Sequence, residues 1–121
     1  NSGLCALAFT IHLSLLGEEG LARLARINHA RASVLADRLA RVAGVELMTS
    51  SFFNEFTLKL PKPAAPVVDA LAAKGVLGGV PASRLMPHET AAANLLIVAA
   101  TETNTDDDFA AFETALKEVL A

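Results

Sequence analysis

The amino-acid sequence predicts an α/β (α+β) fold: a small, open, mostly antiparallel sheet with helices packed on one face. Three observations carry the prediction. Phe53–Leu60 and Asn94–Ala100 have strand length and strand patterning, the first alternating and the second continuously apolar. The segments before, between and after them repeat apolar residues at helical spacing. The resulting order is helix, helix, strand, strand, helix, short strand, strand, helix, which suits an open sheet covered on one side. With 121 residues, 53% of them hydrophobic and 19% charged, the chain can bury one core and is not disordered.

The first element runs Leu4-Cys5-Ala6-Leu7-Ala8-Phe9-Thr10-Ile11-His12-Leu13-Ser14-Leu15-Leu16, apolar on nearly every side. Such a helix must be covered from all directions. The expectation is that the chain is the tail end of a larger protein whose remainder covers this helix, and that part of the function lies there. The run lacks a basic leader, carries His12 and is shorter than the ~20 apolar residues a bilayer span needs, so it reads as buried helix and not as membrane. Cys5 and His12 are then expected inside, and His29 on a helix surface. Gly17-Glu18-Glu19-Gly20 punctuates this helix and opens a second, to about Val42. Leu21, Leu24, Leu35, Leu39 and Val42 fall on one stripe, with Arg23, Arg31, Arg38 and Arg41 beside it. Ile27 and Val34 sit among the arginines, either as a second contact surface or as tolerated exposed aliphatics.

Ala43-Gly44 ends that helix, and Val45-Glu46-Leu47-Met48 alternates as a short strand. After the Thr49-Ser50-Ser51 turn, the next strand places Phe56, Leu58 and Leu60 on one face and Glu55, Thr57 and Lys59 on the other. Pro61-Lys62-Pro63 stops it. A helix from about Ala65 to Lys74 turns Val67, Val68, Leu71 and Ala72 inward, with Gly75 as its C-cap. Val76-Leu77 is read as a short edge strand ahead of Gly78-Gly79-Val80-Pro81, and Ala82–Ala93 as irregular. Asn94-Leu95-Leu96-Ile97-Val98-Ala99-Ala100 has the pattern of a central strand buried on both faces. Thr105 can cap the last helix, Asp106, Asp107 and Asp108 suit its positive end, and Phe109, Phe112, Leu116 and Val119 form its inner stripe.

A net charge of −3 and a pI near 5.5 give no electrostatic footprint for nucleic acid. The lone Cys5 cannot form an internal disulfide, which favours a reducing compartment and a cytoplasmic location. Gly75-Val76-Leu77-Gly78-Gly79 is superficially a phosphate loop. Its glycines follow a helix and precede Pro81, however, whereas nucleotide fingerprints stand between a strand and a helix. A C-cap plus a tight turn with close backbone approach is the structural reading. His12, His29 and His88 lack ligand spacing, and only His88, in the irregular loop, is a site candidate. Asp106–Asp108 reads as a solvated cap, and Cys5 as an inert thiol with no nearby base. None of Lys59, Lys62, Lys74 and Lys117 has the desolvated context of a Schiff-base lysine. Arg84 and the pair Asn54-Glu55 sit where a cleft could use them. Possible cleft or interface residues are therefore Asn54, Glu55, Gly78, Gly79, Arg84 and His88, with no catalytic, cofactor-binding or metal-binding residue assigned.

Leu4-Cys5-Ala6-Leu7-Ala8, Leu15-Leu16-Gly17, Phe52-Phe53-Asn54-Glu55-Phe56, Gly75-Val76-Leu77-Gly78-Gly79-Val80-Pro81 and Ala99-Ala100-Thr101-Glu102-Thr103 resemble, in order, the C-terminal part of the glycine dehydrogenase (decarboxylating) subunit 1 family. These proteins are the α half of the split P-protein of the glycine cleavage system. The resemblance implies the small C-terminal domain of a fold-type I pyridoxal-phosphate enzyme at residues 44–121, with 1–43 a helical lead-in from the large domain. It implies a part in decarboxylating glycine and passing the aminomethyl group to the lipoyl H-protein. Subunit 2 would be the lasting partner and would hold the pyridoxal phosphate, leaving no cofactor in this chain and no activity in it alone. One departure bears on this. Many active relatives of the fold carry an arginine for the substrate carboxylate in the last buried strand, which here reads Leu95-Leu96-Ile97-Val98 and cannot make that bidentate contact. Two alternatives remain: a small-molecule-sensing module with Gly78-Gly79 as its ligand turn, or the small domain of an active aminotransferase or desulfurase. Alone, the chain is expected to self-associate through its uncovered helix.

Overall fold

A computed structural model describes residues 2–121. Among them the chain forms α1 (Gly3–Leu39), β1 (Glu46–Leu47), β2 (Glu55–Lys59), α2 (Ala64–Ala73), β3 (Val80–Pro81), β4 (Leu95–Ala99) and α3 (Asp106–Leu120). The strands lie in the order β1-β2-β4-β3, and every pairing is antiparallel. Patterning and order therefore predicted the sheet type. In register, Phe56 faces Val98 and Leu58 faces Leu96 across β2 and β4. These four side chains are buried and meet Leu71, Phe109, Phe112 and Leu116 from α2 and α3 in one core. Each large side chain withdrawn from water there contributes about 1.5–3 kcal/mol.

The two expected N-terminal helices are joined as one element at Gly17, whose φ of 63° and ψ of −174° break the helical geometry. That left-handed φ is open to glycine and strained for L side chains. Only the last turns of α1 meet the rest of the domain: Ala32, Leu35, Ala36 and Leu39 are buried, followed by Val42. Leu21 is exposed and Leu24 half-buried, so the expected stripe reaches the core only at its C-terminal end. Ile27 and Val34 are exposed. Cys5 and His12, expected inside under cover from the remainder of a larger protein, are exposed in this chain, because no other part of it reaches the first turns of α1.

Five further local expectations change. Glu46–Leu47 and Glu55–Lys59 are shorter than the strands read from patterning, although Met48 N–H still donates to Thr57 O at 2.9 Å. Ala72 points outward, at the end of α2 that solvent surrounds. The edge strand is Val80–Pro81 and not Val76–Leu77. At the end of α2, Val76 N–H donates to Leu71 O and Gly75 N–H to Ala72 O, a Schellman closure around Gly75 at φ 80°. The chain therefore has to cross the open end of the domain before it can pair with β4. The stretch from 82 to 93 holds two 3-10 turns, Ala82–Arg84 and Thr90–Ala92. Finally, β4 is central in the sheet but buried on one face only: Leu96 and Val98 are covered, while Leu95 and Ile97 are half-buried and Ala99 is exposed. The helices all pack on one side, so a continuous apolar run does not bring cover on both.

Candidate functional site

The best-formed concavity is a cleft of about 480 Å3 at the C-terminal end of β4. One wall is the crossing Gly75–Gly79, the other the start of α3 with Asn104 and Asp108, and the floor is Leu35, Phe109 and Phe112. Two glycines of the crossing, Gly78 and Gly79, are there for space. A Cβ on Gly78 would lie 2.6 Å from a Leu71 methyl carbon and 3.1 Å from the Phe112 ring. A Cβ on Gly79, at φ 128°, would lie 2.2 Å from Ile97 O. This is the close backbone approach expected of the Gly-Gly turn.

Both polar side chains of the cleft, Asn104 and Asp108, already make hydrogen bonds. Thr105 N–H and Oγ1–H donate to Asp108 Oδ2 at 2.7 and 2.9 Å, and Asp108 N–H donates to Thr105 Oγ1 at 3.2 Å. This reciprocal cap opens α3, as the Thr105-Asp106-Asp107-Asp108 run predicted. The Thr105 backbone N–H, then its hydroxyl, hold the Asp108 carboxyl below the usual carboxylate range. Asn104 Oδ1 accepts from Thr101 N–H at 2.8 Å. Among the described residues, no polar or charged side chain is buried. The cleft can receive an apolar group or a neighbouring segment of protein; the side chains lining it include no hydroxyl, thiol, amine or imidazole and no cation.

The candidate residues divide between the two ends of the sheet. Gly78 and Gly79 line the cleft. Asn54 and Glu55 reach the same end from the other side of β4: Ala100 N–H donates to Asn54 O at 3.1 Å, and Glu55 pairs with Ala99 in register. Arg84 lies past β3, toward the start of β4, and pairs with Asp69 at 3.5 Å; His88 is exposed in the following loop. The six are not one site.

The sequence reading gave the residues that hold the cleft end together no such role: it passed over Asn28 and took Arg31 and His29 as helix surface. Asn28 Oδ1 accepts from Glu102 N–H at 3.0 Å, and Arg31 Nε donates to Asn104 O at 2.9 Å. Arg31 also meets Asp106 at 2.8 Å and lies 4.6 Å from the Phe109 ring centroid. His29 Nδ1 sits 2.9 Å from Phe53 O, a geometry that needs the proton on Nδ1. One turn of α1 thus ties down the loops beside Asn54 and ahead of α3. The arginines read as a face alone gave no hint of this, since partners more than seventy positions away leave no local pattern.

Pyridoxal phosphate, implied by the family resemblance, is not matched by these residues. The four lysines are exposed and engaged elsewhere: Lys59 with Glu46, Lys62 with Val119 O, Lys74 with Glu118 and Lys117 with Glu113. None lines the cleft, whose one ionisable side chain is the carboxylate of Asp108, unfavourable for a phosphate. No step through the cofactor is assigned to this chain.

A four-stranded antiparallel sheet with helices on one face and a long leading helix is the small-domain architecture of fold-type I enzymes. No family model matches the chain. It is 69% identical over 120 residues to the probable glycine dehydrogenase (decarboxylating) subunit 1 of Parvibaculum lavamentivorans, covering 99% of this chain and 27% of that protein. The corresponding Rhodospirillum centenum protein is 66% identical, with the same coverage. A crystal structure of the glycine decarboxylase (P-protein) of the glycine cleavage system, in inhibitor-bound form, superposes with a TM-score of 0.87 at 40% identity, over 99% of this chain and 26% of that one. A NifS-like protein shares the fold at a TM-score of 0.67 and 19% identity. This stretch of sequence matches glycine dehydrogenase (decarboxylating) subunit 1 proteins from end to end, as a C-terminal part, and spans about a quarter of their length.

Proposed function

We propose that the chain serves as the C-terminal small domain of a glycine dehydrogenase (decarboxylating) subunit 1. In this reading it is a structural part of the enzyme that decarboxylates glycine and passes the aminomethyl group to the lipoyl H-protein. Its lasting partner is subunit 2, which holds the pyridoxal phosphate; the H-protein docks transiently, and the complex works in the cytoplasm. The chain contributes packing surface and a cleft wall, without reacting groups of its own. The observation that carries the reading is the end-to-end identity of 69% with a subunit 1 protein. The commitment of all four lysines to surface partners and the apolar β4 support the division of labour.

The test is a replacement. The matching segment of the Parvibaculum lavamentivorans subunit 1 is exchanged for this chain, and the chimera is assembled with subunit 2 and assayed for glycine decarboxylation with H-protein. Activity within an order of magnitude of the unexchanged complex is expected. A folded, assembled chimera with no more activity than subunit 2 alone would sink the proposal.

A further inference from the structure

We infer that the open edge of β4 at Ala99 pairs with an extended segment of subunit 2; the inference rests on reading subunit 2 as the lasting partner. In an antiparallel ladder the peptide groups of a strand point alternately to its two neighbours. Leu60 N–H donates to Asn94 O and Ala100 N–H to Asn54 O, so the even-numbered positions along β4 point to β2. The odd-numbered ones, Ile97 and Ala99, point the other way. On that side β3 offers only Val80–Pro81, with Val80 opposite Ile97. The next rung would set Gly78 opposite Ala99, but Gly78 is buried in the helix layer, close to Leu71 and Phe112. Among the described residues, the Ala99 N–H and C=O therefore have no hydrogen-bond partner, at a position that lines the cleft.

These groups select the occupant. A donor and an acceptor side by side on a strand edge match one residue of extended peptide, which returns one hydrogen bond to each. In the antiparallel sense of the other rungs, the residue before it turns its side chain to the helix side, over Phe109 and Phe112. The Asp108 carboxylate in the cleft lining opposes an acidic segment and suits a neutral or basic one. Two hydrogen bonds and one apolar side chain give about millimolar binding, too weak to hold a free peptide or a passing protein. The segment has to be carried by a chain already held to this one, where its effective concentration is itself about millimolar. A lasting partner meets that condition, and a transient one such as the H-protein does not.

The test reads hydrogen exchange at the single Ala99 amide in the chimeric subunit 1, alone and assembled with subunit 2. Exchange is expected to be fast alone and at least tenfold slower in the complex, with Ala100 slow in both. Slow exchange at Ala99 before subunit 2 is added marks cover from subunit 1 itself or from a second copy; that result, or fast exchange in the complex, would overturn the inference. The 121-residue chain supplies a measurement independent of how free subunit 1 folds. N-acetyl-leucyl-alanine N-methylamide is expected to slow Ala99 exchange saturably at millimolar concentration. The same compound methylated on the alanine nitrogen lacks the donor for Ala99 O and should leave exchange fast. Equal effects of the two compounds, or none from either, would also overturn the inference. Decarboxylation is read on the same complex: an inactive complex with Ala99 protected counts against the proposed function and leaves the pairing standing.

Discussion

Gly79 and Gly75 stand four residues apart, both at positive φ, and do different work. At Gly79, φ is 128° and a Cβ would sit 2.2 Å from Ile97 O, so strain and collision act together. At Gly75, φ is 80° and a Cβ meets nothing within 4 Å, so only the backbone conformation resists a side chain. Gly79→Ala is expected to cost on the order of 2–4 kcal/mol and Gly75→Ala about 1–2 kcal/mol. Urea unfolding of the two variants checks the difference, since a shift in midpoint at constant slope reports stability. Equal losses would mean that the crossing gives way easily and that Gly79 is not held against β4. The Gly-Gly pair was visible in the sequence as a tight approach, but its partner was not: Ile97 is eighteen positions downstream, and no local pattern names it.

Among the elements, α3 was the most legible, because its start is written in adjacent residues. Thr105 and Asp108 close a cap whose geometry depends on a spacing of three. Asp108 is held below its ordinary value of 3.8 by the Thr105 N–H first and the Thr105 hydroxyl second. Glu113 is likewise lowered, chiefly by its hydrogen bond from Lys117. A depressed native value means that the unfolded chain binds the proton more readily. The stabilisation is therefore present above the unfolded value and is lost as pH falls through the folded one. The melting temperature is expected to fall as pH drops from 5 toward 3, and Asp108→Asn should flatten that slope. Thr105→Ala should lower stability by about 1 kcal/mol at neutral pH through the lost cap. It should keep most of the slope, because the backbone donor to Asp108 remains. Thermal melts across pH for the three proteins check this; an unchanged slope in Asp108→Asn would remove Asp108 from the acid response. The strands were less legible. Leu95 and Ile97 are as apolar as Leu96 and Val98, and the side from which helices approach is decided by α2 and α3, outside the strand itself. Val76-Leu77 has the composition of an edge strand, yet Gly75 turns the chain away and pairing waits for Val80.

For the molecule as a whole, the arm of α1, residues 4–16, was the most informative segment. It is apolar all round, as read, and within this chain it is bare, as expected of a helix with no cover of its own: Leu4, Leu7, Phe9, Ile11 and Leu15 are all more than half exposed. The cleft was illegible as a unit because its walls come from Gly75–Gly79, Val98–Ala99 and Asn104–Phe112, joined only by folding. A bare arm has a consequence for the 121-residue chain in isolation. Contiguous apolar patches beyond a few hundred Å2 seldom stay open to water, and association lowers the exposed area at once. Residues 28–42 anchor the arm to the domain by side-chain hydrogen bonds and burial, so association need not unfold the body. Multi-angle light scattering of the chain alone is expected to give a mass above 12.6 kDa that rises with concentration. The triple variant Leu4→Gln, Phe9→Gln, Leu15→Gln should return a monomer with an unchanged melting temperature, because none of these side chains touches the core. A wild-type chain that stays monomeric at high concentration would show that the arm tolerates water, and the need for a cover would go with it.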